Sequence, residues 1–459
     1  MAKPMTDPQE KLFSAKNLYE DLLREGSAEM GIYRHLVPML TEEDFEGMYK
    51  EGGRPPVSPR KMALVSLLQA MDRIPDREAA YDATVRLDWQ VILGVETGWK
   101  GFDASLLTVF RRRLLDNPQV KDLFDRVLEK LVELKLIAPE GKQRLDSTWV
   151  FGLLRSLSRL ENLKEGLRVA LKAIEGSGKK GEDWVKGLPG PTWKRAMKKM
   201  DLRGMDGEER QEAAMKLGED IWLVLDRLES APPEWKELAE VKTLRTIFEQ
   251  NFTVQGRKGG KKGKKKVRLE LRDFKETPGQ ERISSPHEPE ARYNSKADKS
   301  RGAIGYKIQV SETAKEEGPN FLTGVEVTGG ATPDDGQAQK MIEALEKSKL
   351  IPQDLHTDSG YVSRNGRKEL KKQHGVRQKG PTKTQAARGV TADPLRAPIE
   401  RSIRELVSNG ARRTPYRGKD KTRWWERMVG SVVNLKRLAR AEAEGCLRGY
   451  GGKLSLQSA

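Results

Sequence analysis

Cysteine and histidine are nearly missing from this chain: 459 residues hold one Cys, Cys446, and four His. A lone thiol forms no internal disulfide and no multi-Cys zinc site, which fits a reducing cytosol. The His residues form no ligand-spaced cluster, so a metal, if one is used, is expected on oxygen. Long apolar runs are absent too, and none approaches the ~20 residues that span a bilayer. The Met1-Ala-Lys-Pro start has no apolar stretch of the signal-peptide kind. These absences predict a cytoplasmic protein without a membrane partner. Negative charge is in deficit: 85 Lys and Arg stand against 68 Asp and Glu, a net charge of +17. A field of that sign suits a phosphate polymer, which releases counterions when it is bound.

The length leaves room for two or three domains. From Pro8 to Ile137 apolar residues recur at three and four positions, which predicts a helical N-terminal domain over residues 1–137. One of its helices carries Arg111, Arg112 and Arg113, and such a helix suits the major groove of DNA. A helical scaffold with a solvated basic face has the same periodicity. Residues 155–285 read as a mainly helical insertion that ends in Gln255-Gly-Arg-Lys-Gly-Gly-Lys-Lys-Gly-Lys-Lys-Lys-Val267. That stretch has no apolar period, so it is expected to be a loop. On nucleic acid its Lys261, Lys262, Lys264, Lys265 and Lys266 form a cationic strap along the phosphates.

Periodicity then changes to strands. Ile304, Tyr306, Ile308 and Val310 alternate with polar residues, Phe321 to Val327 supplies a second strand, and Asp354 to Thr357 a third. Between the last two, Met341, Ile342, Leu345 and Leu350 mark a helix. The expected fold class is α/β, formed by residues 138–154 together with 286–459 around the insertion.

Three acidic residues sit at strand and helix signals in this region: Asp146 in Arg144-Leu-Asp-Ser-Thr-Trp-Val150, Asp358 in Leu355-His-Thr-Asp-Ser-Gly-Tyr361, and Glu400 in Ala397-Pro-Ile-Glu-Arg401. Brought together, two Asp and one Glu can hold a pair of Mg²⁺ ions for phosphoryl transfer. Each also has an ordinary reading: Asp146 as a strand-end cap, Asp358 as a turn residue that binds backbone amides, and Glu400 as the partner of Arg404 one helical turn on. Glu405 rivals Glu400 in the same helix, and Glu288 and Glu290 are further acids in the preceding loop. Arg292, Lys296 and Lys307 suit phosphates beside such a site. Arg412, Arg413 and Arg417, with Lys419 and Lys421, form a denser basic patch beyond it. Trp424 and Trp425 beside that patch suit either base stacking or the core.

Asp146, the Arg292-Tyr-Asn-Ser-Lys296 and Gly305-Tyr-Lys307 segments, Thr357-Asp-Ser-Gly-Tyr361, Ile399-Glu-Arg401 and Asn434-Leu-Lys-Arg-Leu438 stand in an order that resembles the DDE transposases of bacterial insertion sequences. Gly53-Arg-Pro-Pro56, Asp76-Arg-Glu78 and Leu93-Gly94 resemble the helical domain that precedes catalysis in one group of them. The resemblance implies an RNase H-like mixed sheet with flanking helices, interrupted by the insertion, and a metal-binding triad of Asp146, Asp358 and Glu400. It also implies Mg²⁺ as cofactor, with Mn²⁺ as a substitute, and two DNA partners: duplex with terminal inverted repeats, and target DNA. A homodimer on DNA and a nucleoid location when bound are further expectations. An inactive DNA-binding relic and an RNase H-like nuclease are the alternatives.

Overall fold

The computed structural model describes residues 20–48, 57–153, 157–198, 204–256, 267–273, 275–294, 303–391 and 393–445. Cys446, Lys261, Lys262, Lys264, Lys265, Lys266 and Lys296 lie outside the described residues.

The N-terminal region is helical: α1 (Pro59–Asp72), α2 (Asp76–Val85), α3 (Leu87–Leu93), α4 (Ser105–Asp116) and α5 (Leu123–Glu133) follow short turns of helix over Ala28–Gly31 and Ile32–Leu36. The Ser58 hydroxyl accepts the Lys61 N–H at the start of α1, and Pro59 fills the first helical position, where no N–H is needed. Every residue from Met62 to Met71 is buried. A helix covered all round belongs in a core, and α1 is packed by its neighbours on every face.

Strand β1 (Lys142–Phe151) leads into the insertion, which consists of α6 (Arg159–Glu175), α7 (Lys179–Lys186), α8 (Gly190–Met197), α9 (Gly207–Leu228) and α10 (Ala239–Asn251). Strands β2 (Phe252–Gly256) and β3 (Val267–Leu271) close it as an antiparallel hairpin. Here the structure corrects the expected loop, because Gln255, Gly256 and Val267 are ladder residues. The insertion has its own core, in which Leu163, Leu167, Ile221, Leu244, Ile247 and Phe252 are buried together.

After the insertion come β4 (Arg292–Asn294), β5 (Ala303–Thr313), β6 (Leu322–Gly329), α11 (Gln337–Lys347), β7 (Asp354–His356), α12 (Arg364–His374), β8 (Arg377–Lys379), α13 (Ile399–Leu406) and α14 (Lys419–Ala443). The sheet is mixed, in the order β4-β5-β1-β7-β8, with β6 also paired to β5. Strand β1 runs antiparallel to β5 and parallel to β7, and β7 is parallel to β8. The central strand of the path is therefore β1, which carries Asp146.

One buried cluster runs from Leu23 in the N-terminal region through the sheet to Leu438 in α14. Helix α14 joins the two parts. A Cβ on Gly430 would meet the Phe124 ring of α5 at 2.9 Å, so only glycine allows the helices to come this close. Asn434 brackets β6 with its side-chain amide, accepting the Leu322 N–H and donating to the Leu322 carbonyl, both at 2.9 Å.

Glu426, also in α14, is fully buried, and neither carboxylate oxygen has a hydrogen-bond partner among the described residues. Burial alone pushes its carboxyl well above the usual carboxylate range. The folded protein then keeps a proton that the unfolded chain releases, so stability is fully present below the unfolded value and declines as pH rises past it. Glu426→Met, which keeps length and removes the titration, is expected to stabilise the protein by about 1–3 kcal/mol. Thermal melts should show a larger gain at about pH 8 than at about pH 4; an equal or negative gain at the higher pH would count against a neutral, unpartnered acid.

Candidate active site

The parallel pairing of β1 with β7 sets Lys142 opposite Asp354, Gln143 opposite Leu355 and Arg144 opposite His356. Continued by two residues, the same register brings Asp146 opposite Asp358, just beyond the end of β7. Parallel neighbours lie about 4.8 Å apart, so the two carboxylates share one edge of the sheet by construction.

Both carboxylates are oriented in the same way. Asp146 accepts the Ser147 N–H on Oδ1 at 2.8 Å, and Asp358 accepts the Gly360 N–H on Oδ1 at 2.8 Å. The turn role expected for Asp358 is thus real and leaves its second oxygen available. Each Oδ2 faces the Arg396 guanidinium, at 2.5 Å for Asp146 and 3.7 Å for Asp358. Burial raises the Asp146 carboxyl to about 6; the neighbouring Asp358 charge pushes in the same direction, and Arg396 opposes both.

The third acid comes from α13, which packs on β1. Glu400 Oε1 lies 3.9 Å from Arg396 Nη1. Arg404, which sequence spacing pairs with Glu400, instead donates to the Glu400 carbonyl at 3.4 Å. Glu405 is committed elsewhere: its Oε2 takes Arg437 Nη2 at 2.8 Å, and Arg437 Nη1 reaches the buried Glu312 at 2.6 Å. Glu312 in turn holds Arg144 at 2.7 Å. Of the two Glu on α13, only Glu400 shares a cation with Asp146 and Asp358. Glu288 accepts the Gly418 N–H at 2.9 Å and the Tyr306 hydroxyl at 3.3 Å, while Glu290 pairs with Lys419 at 2.6 Å. Both serve the contact between the β4 approach and the start of α14.

Arg396 is the residue that the sequence reading missed. Its signal was present as an Arg four residues before Glu400, on a short helical turn spanning Pro394–Arg396. Among the described residues no group of three or more His, Cys, Asp or Glu stands ready to hold a metal ion. At the triad the guanidinium lies where the carboxylates converge. The donor set is nonetheless carboxylate oxygen throughout, the hard-ligand chemistry that suits Mg²⁺ or Mn²⁺.

The basic residues divide. Arg111, expected at a phosphate, is buried instead: it forms a bidentate pair with Asp76 and lies 4.7 Å from the Tyr416 ring and 5.7 Å from that of Trp424. The apolar period that puts Phe110 and Leu114 in the core takes Arg111 with them, where Asp76 neutralises it. Arg112 is exposed and Arg113 half-buried. Arg112 shares a cleft of 630 Å³ with Arg417, Lys419, Lys421 and Arg423, along with Asp116 and Asp420. Arg412 donates to the Trp149 carbonyl at 3.0 Å, and both Arg412 and Arg413 lie about 6 Å from the Phe151 ring. Lys307 reaches the Thr332 carbonyl at 2.9 Å and Asp334 at 3.2 Å. Arg292 is half-buried, and burial lowers its pKa. Trp424 and Trp425 are both buried, edge-on to Tyr416, so neither ring is offered to a base.

No curated protein and no solved structure matches the chain. Residues 19–113, the part that holds α1 to α3 and most of α4, match the family model described as Transposase domain (DUF772). Over these residues the N-terminal helices are similar to a transposase domain.

Proposed function

We propose that the protein is a DDE-type DNA transposase of an insertion sequence, with an RNase H-like catalytic region built on β1, β5, β6, β7 and β8. The observation that carries this reading is the convergence of Asp146, Asp358 and Glu400, from three separate elements, on one cation. In this reading the protein binds terminal inverted repeats, cleaves the element's ends and transfers them to target DNA, as a homodimer on duplex DNA in the nucleoid.

Asp146, Asp358 and Glu400 would hold two Mg²⁺ ions, with Mn²⁺ as a substitute. When bound, such ions lower the pKa of the attacking water or 3′-hydroxyl and stabilise the leaving oxygen. The backbone amides of Ser147 and Gly360 fix one oxygen of each Asp, so the other is aimed before any ligand arrives. Arg112, Arg417 and Lys421 would take phosphates in their cleft, and Lys307, Arg292, Arg412 and Arg413 would take those nearer the sheet.

The test is incubation of the purified protein with Mg²⁺ and duplex DNA that carries the element's own end and flank, read on a denaturing gel. Metal-dependent nicking at the end is expected. Tight binding with no cleavage in Mg²⁺ or Mn²⁺ would point to an inactive relic.

The Lys-rich segment supplies an independent check. Replacing Lys261, Lys262, Lys264, Lys265 and Lys266 with Ser should weaken binding to all sequences alike, and each lost phosphate contact should take about 0.9 from the slope of log affinity against log salt. An unchanged slope would assign those charges to solvent.

A further inference from the structure

The Arg396 side chain is held almost wholly by the three acids, while its backbone is held by the fold. Asp393 caps the turn by accepting the Leu395 N–H at 2.9 Å, and its other oxygen lies 3.1 Å from His356 Nδ1. Arg144 donates to the Leu395 carbonyl at 3.2 Å. This pedestal is anchored on β1 and β7, the strands that carry or precede the two Asp residues. The Arg396 side chain is 18% exposed, and its Nε is buried with no hydrogen-bond partner among the described residues.

Three ionised carboxylates at one sheet edge repel one another, and a single guanidinium offsets that repulsion. It also excludes what it imitates. Carboxylate oxygens hold Mg²⁺ at about 2.0–2.1 Å, and the Asp146 oxygen turned to the centre is already taken by Arg396 at 2.5 Å. An ion on these oxygens would meet the Arg396 guanidinium in its present rotamer, and the two positive charges repel. Arg396 starts from a turn at the rim, and a long, flexible side chain that leaves the carboxylates meets solvent or an incoming phosphate.

We propose that Arg396 is a built-in cationic placeholder: it occupies the site until divalent ions displace it, and a DNA phosphate that captures the freed guanidinium makes the displacement favourable. The inference rests on the metal-dependent reading of this site. Its consequence is positive coupling: DNA tightens ion binding and ions tighten DNA binding by the same factor, because both draw on the same displaced side chain.

The test uses the full chain and Mn²⁺ alone, with free Mn²⁺ measured by electron paramagnetic resonance, for wild type, Arg396→Gln and Asp358→Asn. Arg396→Gln should bind Mn²⁺ about tenfold more tightly than wild type without DNA, and duplex DNA should tighten wild type by a similar factor while leaving the variant nearly unchanged. Thermal melts on the same samples guard against a folding defect. Arg396→Gln should melt lower than wild type without ions and recover more on adding Mn²⁺. If Arg396→Gln binds Mn²⁺ as wild type does or more weakly, while Asp358→Asn loses it, the placeholder is wrong and the metal site stands. If none of the three binds Mn²⁺ with or without DNA, the metal-dependent reading falls, and the placeholder with it.

Discussion

Asp358→Asn is expected to bind duplex ends as wild type does and to nick them slower by on the order of 10⁴-fold, the loss seen when one member of a catalytic unit is removed. The substitution is chosen for what it retains. An Asn Oδ1 still accepts the Gly360 N–H that shapes the turn, so the backbone beyond β7 has no reason to move. What disappears is the negative charge on the oxygen that faces Arg396. In the proposed function binding depends on basic residues elsewhere, so it should persist.

The two Glu on α13 sharpen the result. Glu400 is 60% exposed and has no role in packing, so Glu400→Gln should lose cleavage without a change in melting temperature. Glu405 belongs to the Arg437 and Glu312 network, so Glu405→Gln should lower the melting temperature and leave cleavage per folded molecule intact. Gel cleavage and thermal melts on the pair decide the third ligand. The reverse pattern would transfer that role to Glu405, and normal cleavage by Asp358→Asn would remove the proposed site altogether.

The second large effect is on folding. Arg427 in α14 is buried against Asp122, the N-terminal cap of α5, and its Nη2 reaches Asp125 at 2.7 Å. Its Nη1 lies 3.6 Å from Glu326 on β6, and the guanidinium lies 4.8 Å from the Phe124 ring. One side chain thus neutralises carboxylates from the helical region and from the sheet. Burial, then the proximity of Asp122, raises Asp125 to about 6 even with Arg427 present.

Arg427→Ala would take this cation from Asp122 and Asp125, and should cost about 3–5 kcal/mol, the usual penalty for breaking a buried pair from one side. The urea midpoint of the transition that includes the sheet measures it. With Asp125 already raised to about 6 and Arg427 gone, the deficit should shrink as pH falls and protons are taken up. Arg427→Met combined with Asp122→Asn and Asp125→Asn removes the stranded charges and should regain much of the loss. A deficit that is independent of pH and persists in the triple variant would mean that lost packing on Phe124, not charge, is what matters.

Much of the architecture was legible in the chain because periodicity is local. The alternation of Ile304, Tyr306, Ile308 and Val310 marked β5, and the three-and-four spacing in Met62 to Met71 marked α1. The β2 and β3 hairpin was missed although Val267, Leu269 and Leu271 alternate, because the adjacent run of Lys and Gly dominated the reading and strand pairing depends on a partner that local pattern does not name. Arg111 was misassigned for a related reason. Three successive Arg look alike in sequence, yet a helix turns about 100° per residue and sends them to different faces, one inward to Asp76.

The sequence by itself determined the net charge of +17, the shortage of Cys and His, and the order of the three acids along the chain. Which carboxylate oxygens face one another, that Glu400 rather than Glu405 turns to the two Asp, and that Arg396 occupies the space between them were decided only by tertiary structure. The β1 and β7 register, the lie of α13 on β1 and the pedestal under Arg396 join residues about 210–250 positions apart. Charge and periodicity are properties of residues and of short windows, whereas a site is a distance between side chains, and that distance exists only after the sheet has closed.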